Sequence, residues 1–416
     1  MTFARNLRTN VRTILAAPLD AAPLGVRLMG PVDQVLGAVV VALMGFGLVM
    51  VYSASEIFAT VTRHDPQYFL LKQFGYSIAG LAIMAVVSKV DYHRLYKLTY
   101  PVLFSVIAML VATIVGLGHR GGGAARWLHM GIINVQPAEV AKLALIIWLA
   151  YSLAKKADKV KSFTVGFLPH LLVAGLLMLL CLKQPDFGSA VVLLLLTFAL
   201  LFMAGAKIGY IMGAILTGGG LAILAVRYSP YRFARYLAWA DMEKHRQDLA
   251  YQPFQSVMSF GSGGFHGVGL GRGLQTLYLP EAHTDFVSAI IGEELGFIGI
   301  LALAIAYVVL CARGIRAALR APDDFGAYLA FGISTLFALQ TLVNLSVALA
   351  ILPTKGLTLP FVSYGGSSLL VNAAAVGILL NITRQIEDPR PESKLGAERG
   401  EQVRPEDLGD LVGVKD

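Results

Sequence analysis

The chain has 416 residues, 56% of them apolar and only 14% charged, and its formal net charge is +8. A soluble domain carries about 25% charged residues, so this composition excludes a disordered chain, a coiled coil and an ordinary soluble enzyme. The basic residues are scattered through short loops, which argues against nucleic-acid binding, and Cys181 and Cys311 lie far apart in separate apolar runs, which argues against a disulfide or a cysteine metal site.

Residues 1–33 lack the short apolar core and cleavage site of a signal peptide and read as a cytoplasmic segment ahead of an uncleaved first span. Residues 1–17 carry arginines and no acid, so a mitochondrial presequence is the rival reading. A helix needs about 20 apolar residues to cross a bilayer. Ten stretches qualify, some of them interrupted by Gly or Pro: 34–52, 70–88, 98–117, 138–154, 165–182, 188–204, 208–227, 286–312, 325–351 and 367–383. The predicted fold class is therefore an all-α polytopic membrane protein with about ten transmembrane helices. An even number of spans leaves both termini on one side. That side carries 21 Lys and Arg, against 6 in the short loops opposite, so the expected orientation is N-in/C-in. A large periplasmic loop, 228–285, separates helices 7 and 8, and residues 386–416 read as a polar, disordered cytoplasmic tail after a membrane domain at 34–385.

The polar residues of interest fall on the outer side in four groups. In Asn134–Lys142, Pro137 suits a first helical position and Glu139 the first turn, while Gln136 precedes them. Lys142 shares a face with Glu139. A lysine inside a span is costly and marks either function or an ion pair locking two helices. In Gln184–Ser189, Asp186 either caps the sixth span or serves the site. In Leu279–Val287, His283 and Thr284 precede Asp285, with Thr284 the expected cap and Asp285 in the first helical turn; burial would raise that carboxyl and the helix N-terminus lower it. Glu293 and Glu294 lie deeper and are expected to pair with a neighbouring helix. In Leu352–Ser368, prolines and glycines break the path between spans nine and ten, predicting a re-entrant segment buried in protein or lining a polar cavity, with Ser363, Ser367, Ser368 and Lys355 able to hold an anion. The stretch Tyr231–Trp239 is aromatic and basic and suits a membrane surface or the border of a cleft.

These groups together resemble the SEDS family (shape, elongation, division and sporulation), the bacterial peptidoglycan polymerases, over about residues 34–385. The residues that carry the likeness are Gln136-Pro-Ala-Glu139 with Lys142, Leu279-Pro-Glu-Ala-His-Thr-Asp285, and Asn344 with Pro353, Gly356, Pro360 and Ser363-Tyr-Gly-Gly-Ser-Ser368. Tyr251-Gln252, Gln255-Ser256 and Gly261–Gly264 add to it in the long loop. Met50–Ser55, Tyr278–His283 and Pro353–Pro360 favour the division branch over the elongation branch. Two departures stand out: Ala125-Arg126 where the family usually has two arginines, which leaves Arg126 a weaker site residue, and Asp241-Met242 where it has Asp-Pro.

The resemblance implies a peptidoglycan glycosyltransferase acting on lipid II during septal wall synthesis at the outer face of the cytoplasmic membrane. It implies Asp285 as catalytic base in an inverting transfer, and substrate contacts from Lys142, Glu139, Gln136, Asp186, Gln255, Ser256, His283, Thr284, Lys355, Ser363, Ser367, Ser368 and Arg126. A pyrophosphate leaves readily and needs charge compensation more than protonation, so one base with several cations, or a divalent ion (Mg or Mn), is the expected equipment. No organic cofactor is implied. The implied partners are a class B penicillin-binding protein, the septal transpeptidase, and other divisome membrane proteins. The rival functions are a lipid II flippase and a non-enzymatic divisome scaffold.

Overall fold

The computed structural model describes residues 30–385 apart from 122, 123, 132 and 355. The described residues form thirteen α-helices: α1 Gln34–Arg63, α2 Tyr68–Val87, α3 His93–Ala112, α4 Pro137–Lys155, α5 Leu168–Lys183, α6 Phe187–Met203, α7 Ile208–Arg227, α8 Pro230–Ala240, α9 Tyr251–Gly263, α10 Val287–Glu294, α11 Gly296–Leu319, α12 Asp324–Ala348 and α13 Gly366–Arg384. Eight of the described helices are long and apolar enough to cross a membrane, and α6 and α7 contribute shorter apolar helices where the sixth and seventh spans were expected.

Three of these helices form the interior. The most apolar windows of α4, α12 and α13 are 78%, 67% and 72% buried, against 39% or less for the other five long spans. Large apolar side chains on the outer helices, such as Val49, Phe104, Leu172 and Val308, face outward. In lipid such a surface carries no penalty, because tails are as apolar as Leu.

The two ends of the bundle differ. At the terminal end, Arg313 makes a bidentate pair with Asp33 (2.7 and 2.8 Å), which also caps α1 through Leu36 N (3.0 Å). There, too, Gly30 N donates to Arg384 O (2.8 Å), and His93 bridges Asp91 (2.7 Å) and Asp323 (2.9 Å). The opposite end carries the irregular chain. The fold is helical as expected, and to it this end adds a small sheet the sequence did not announce: Gly118–Gly121 (β1), Ala124–Met130 (β2) and Ile133–Val135 (β3) pair antiparallel in the order β1-β2-β3. The glycines of this stretch masked its alternating pattern in the sequence.

The predicted eighth span, 286–312, is two helices. Val268 N and Gly269 N donate to the carbonyls of Glu293 and Glu294 (3.0 and 2.9 Å), ending α10, and Gly296 turns the chain at φ +65°. A Cβ at Gly296 would lie 2.4 Å from Gly267 N, so the turn admits glycine only. As expected, Glu294 meets a neighbouring helix, accepting from Ser53 Oγ of α1 (2.6 Å); Glu293 instead accepts from Leu274 N (2.9 Å).

Between α12 and α13 the chain crosses the protein without regular structure and with Leu357, Leu359, Phe361 and Val362 buried. Its polar atoms are met by side chains: Gln73 Nε2 donates to Ser363 O (3.2 Å), Leu359 N to Ser363 Oγ (2.9 Å), and Tyr307 OH to Pro360 O. This is the condition under which a broken path is tolerated at membrane depth.

Helix α1 approaches this segment through Gly47, where a Cβ would lie 2.6 Å from Phe361 O and 2.8 Å from Val362 Cα. Both are main-chain atoms held on several sides. Gly47→Ala is expected to destabilise the protein by about 1–3 kcal/mol, the usual cost of overpacking. The melting temperature of the detergent-solubilised protein measures it, with Gly45→Ala, which faces open space, as the unaffected control.

Candidate active site

The site is built at the loop end from four pieces: the turn 279–286, the crossing segment 352–365, the turn 184–189, and the sheet with the start of α4. Asp285 is the last residue before the N-cap of α10, which is Phe286. The turn ahead of it is made by Glu281, at φ +58°. Thr284 N donates to Glu281 O (3.1 Å) and Thr284 Oγ1 to Glu281 Oε2 (2.8 Å). Thr284 therefore does not cap α10, as the sequence suggested. The left-handed bend brings the Glu281 carbonyl and carboxylate within its reach first.

The second piece holds the turn in place. Asn344, in the last turns of α12, donates through Nδ2 to Asp285 O (2.9 Å) and Leu357 O (2.8 Å), and Ser288 Oγ donates to its Oδ1 (2.9 Å). Tyr364 N donates to His283 O (2.9 Å). His283 itself packs among Phe69, Tyr364 and Phe58, with ring centroids 4.5, 5.6 and 5.7 Å away, and burial lowers its imidazole below the usual range, so it is neutral. It packs the turn against α1 and α2.

Asp285 lies half-buried at the rim, its carboxyl against Gly356. Desolvation pushes that carboxyl up from 3.8 to about 7. The Glu281 charge raises it further, Arg126 pulls it down and Asp186 raises it. Asp285 is thus half ionised near neutrality, and a proton taken there can return to water. Asp186 caps α6 through Ser189 N (3.0 Å), accepts from Ser189 Oγ (2.8 Å), and is reached by Gln136 Nε2 (3.4 Å). Arg126, on β2, is held over this turn by the carbonyls of Gln184 (3.0 Å) and Pro185 (2.6 Å). The backbone of Gln136 joins α13, its N–H donating to Ser367 Oγ (2.9 Å) while Ser367 Oγ donates to Asn134 O (2.7 Å).

Several expected substrate contacts are committed elsewhere. Lys142 and Glu139 pair at 2.6 Å, with Lys142 fully buried and Glu139 nearly so. Ser256 is buried and donates to Ala348 O (2.6 Å), capping the end of α12. Ser363 serves the crossing segment, and Ser368 Oγ accepts from Thr358 Oγ1 (3.0 Å) and Asn372 Nδ2 (3.2 Å). Gln255 is half-buried on α9. Lys355 lies outside the described residues. Conversely, Glu281, Asn344 and Gly356 frame Asp285 but were not among the expected site residues. An acidic residue four positions before the key aspartate was the available signal for Glu281.

Two outcomes follow from this electrostatics. Lys142→Met alone leaves Glu139 buried without its partner and should cost about 3–5 kcal/mol of stability, whereas adding Glu139→Gln recovers most of it; detergent-phase melts of the two variants measure this. Glu281→Gln removes a like charge and should move the Asp285 titration midpoint below about 7. Difference infrared spectra of the carboxylate band report the shift, with Asp285→Asn assigning the band.

Known proteins resemble this chain in sequence and fold. A family model for the cell cycle proteins FtsW, RodA and SpoVE matches residues 34–388. A protein of Trichlorobacter lovleyi named "Probable peptidoglycan glycosyltransferase FtsW" is 44% identical over 353 residues, 84% of this chain and 93% of its own. The protein of the same name in Geobacter sulfurreducens is 44% identical over 357 residues, 85% and 96%. A solved chain from "Structural coordination of polymerization and crosslinking by a peptidoglycan synthase complex" superposes with a TM-score of 0.72 at 29% identity, covering 86% of this chain and 99% of that one. The rod shape determining protein RodA of Thermus thermophilus superposes at 0.63 with 27% identity, covering 86% and 98%. The family match takes in the turn, the crossing segment and the interior helices alike, and the chain belongs to the FtsW/RodA/SpoVE family of cell cycle proteins.

Proposed function

We propose that the chain is a peptidoglycan glycosyltransferase of the FtsW type, extending glycan strands from lipid II at the outer face of the cytoplasmic membrane during septal wall synthesis. The observation that carries this reading is Asp285: a single half-buried carboxyl, titrating near neutrality, at the open rim of the site with Arg126 as the nearest described cation to influence it. The acceptor sugar hydroxyl attacks the anomeric carbon of the donor, and Asp285 takes the hydroxyl proton. The bond to the lipid pyrophosphate breaks with its electron pair leaving on the pyrophosphate, and configuration inverts. Arg126 compensates the charge that develops on the leaving group. Gln136 and Asp186 line the same rim, where Asp186 disfavours misplaced anions.

Among the described residues no three His, Cys, Asp or Glu side chains converge to hold a metal. A divalent ion brought in on the substrate phosphates would need only one or two carboxylates from the protein, as Mg²⁺ commonly does. A route for the lipid tail is offered by α7. Of its described side chains only Ile211 is buried, and a Cβ at Gly213, Gly218, Gly219 or Gly220 would meet nothing within 4 Å. This exposed face is a surface along which a lipid tail can lie. The match to a chain of a peptidoglycan synthase complex supports a class B penicillin-binding protein as partner.

Purified protein given lipid II in detergent is expected to make glycan chains without any gradient, and Asp285→Ala to make none while remaining folded. Because the base must be ionised and its carboxyl sits at about 7, polymerisation should rise with pH through neutrality and fall about tenfold per unit well below it. Chain synthesis by Asp285→Ala at the wild-type rate overturns the reading.

A further inference from the structure

The geometry points to Asn344 as the positioning residue for the Asp285 carboxyl, acting through the main chain on both sides of the site with Gly356 as the surface that confines it; this rests on the glycosyl-transfer reading above. Asn344 is 2% exposed, so its amide has no water to turn to. Both of its N–H groups and its carbonyl are used, on three separate pieces of chain: Asp285 O, Leu357 O and Ser288 Oγ. An amide is the side chain that can do this, because it donates twice and accepts at once from a planar group. Aspartate at this position would set a carboxylate against two carbonyl oxygens, and leucine would leave both carbonyls unpaired.

The consequence appears next to Leu357. Drawing the Leu357 carbonyl and the Asp285 carbonyl to one amide brings Gly356 against the Asp285 side chain. A Cβ at Gly356 would lie 2.8 Å from Oδ2, 3.7 Å from Oδ1 and 3.6 Å from Cγ. The main chain of Gly356 therefore runs beside the carboxyl with no room for a side chain between them. The turn of Glu281 closes another, since Phe286 N donates to Glu281 O (3.4 Å) across Asp285. A base held in this way meets an incoming hydroxyl at a set distance, and a displacement of about 1 Å costs about a hundredfold in rate. The end of α12 that carries Asn344 is itself held from outside, by Ser256 on Ala348 O (2.6 Å) and Trp239 Nε1 on Ala350 O (2.8 Å), so the clamp has a fixed base.

The test compares wild type, Asn344→Ala, Gly356→Ala and Asp285→Ala in the lipid II polymerisation assay, with kcat and KM resolved and the Asp285 band titrated by infrared. Asn344→Ala and Gly356→Ala are expected to lower kcat about a hundredfold, change KM by less than about threefold, and displace the Asp285 titration midpoint. A loss from unfolding alone would lower the active fraction and leave KM and the midpoint of the remainder as in wild type, which would overturn the proposal. Gly356 is exposed and outside any helix, so Gly356→Ala decides the matter alone should Asn344→Ala not fold. Wild-type kcat in Gly356→Ala overturns the confinement. An inactive wild type, or an active Asp285→Ala, overturns the glycosyl-transfer reading instead.

Discussion

A chain inside hydrocarbon has no water to satisfy its main chain, and the segment between α12 and α13 is where this molecule meets that constraint without a helix. Every turn of it is tied to a side chain from elsewhere: Gln73 from α2, Tyr307 from α11, Asn344 from α12 and its own Ser363. The rest of the loop end follows from those ties. Once the segment is held, its Gly356 lies beside the Asp285 carboxyl and Tyr364 N donates to His283 O, so the turn has a surface to lean on. Irregular backbone costs a membrane protein more than regular backbone; here it supplies the one wall of the site that a helix, with its carbonyls turned inward, does not present.

Two carboxylates show how differently this interior treats the same group. Glu139 lies beside Lys142 on one face of α4 and is sealed, so its charge is matched and structural. Asp285 is half-buried, with no salt bridge to a cation among the described residues, and desolvation outweighs the pull of Arg126. The first arrangement is an ion pair within one helix and the second leaves a carboxyl near neutrality. A leaving group as acidic as a pyrophosphate needs no second carboxylic acid opposite the base, which is consistent with Glu139 being free to serve the scaffold.

Much of this was legible in the sequence, and the exceptions have physical causes. The spans stand out because twenty apolar residues make a loud signal, and the pairing of Glu139 with Lys142 follows from helical spacing alone. The broken path after α12 is written in Pro353, Gly356, Pro360 and Gly365-Gly366. The sheet at 118–135 was hidden by glycines that erase alternation, and the break at Gly296 by apolar residues on both sides of it. His283, Ser256 and Lys142 make contacts within the protein that the sequence did not display, for one reason. A polar residue in a membrane chain suggests chemistry, but whether it faces the substrate or fastens two segments depends on contacts between residues far apart in sequence. Asn344 is the reverse case: in sequence it is one amide in a span, and only the fold brings two remote carbonyls to it.

The isolation of α7 has a consequence for how the protein lives in its membrane. With Ile211 its one buried described side chain and Tyr210 packed on Phe163 and Phe167, this helix is fastened to the rest of the polypeptide by few side chains. Bilayer thickness and fluidity then become parameters of the molecule, and its tilt should differ between a stiff, long-chain membrane and a thin, fluid one while the interior trio of helices stays as it is.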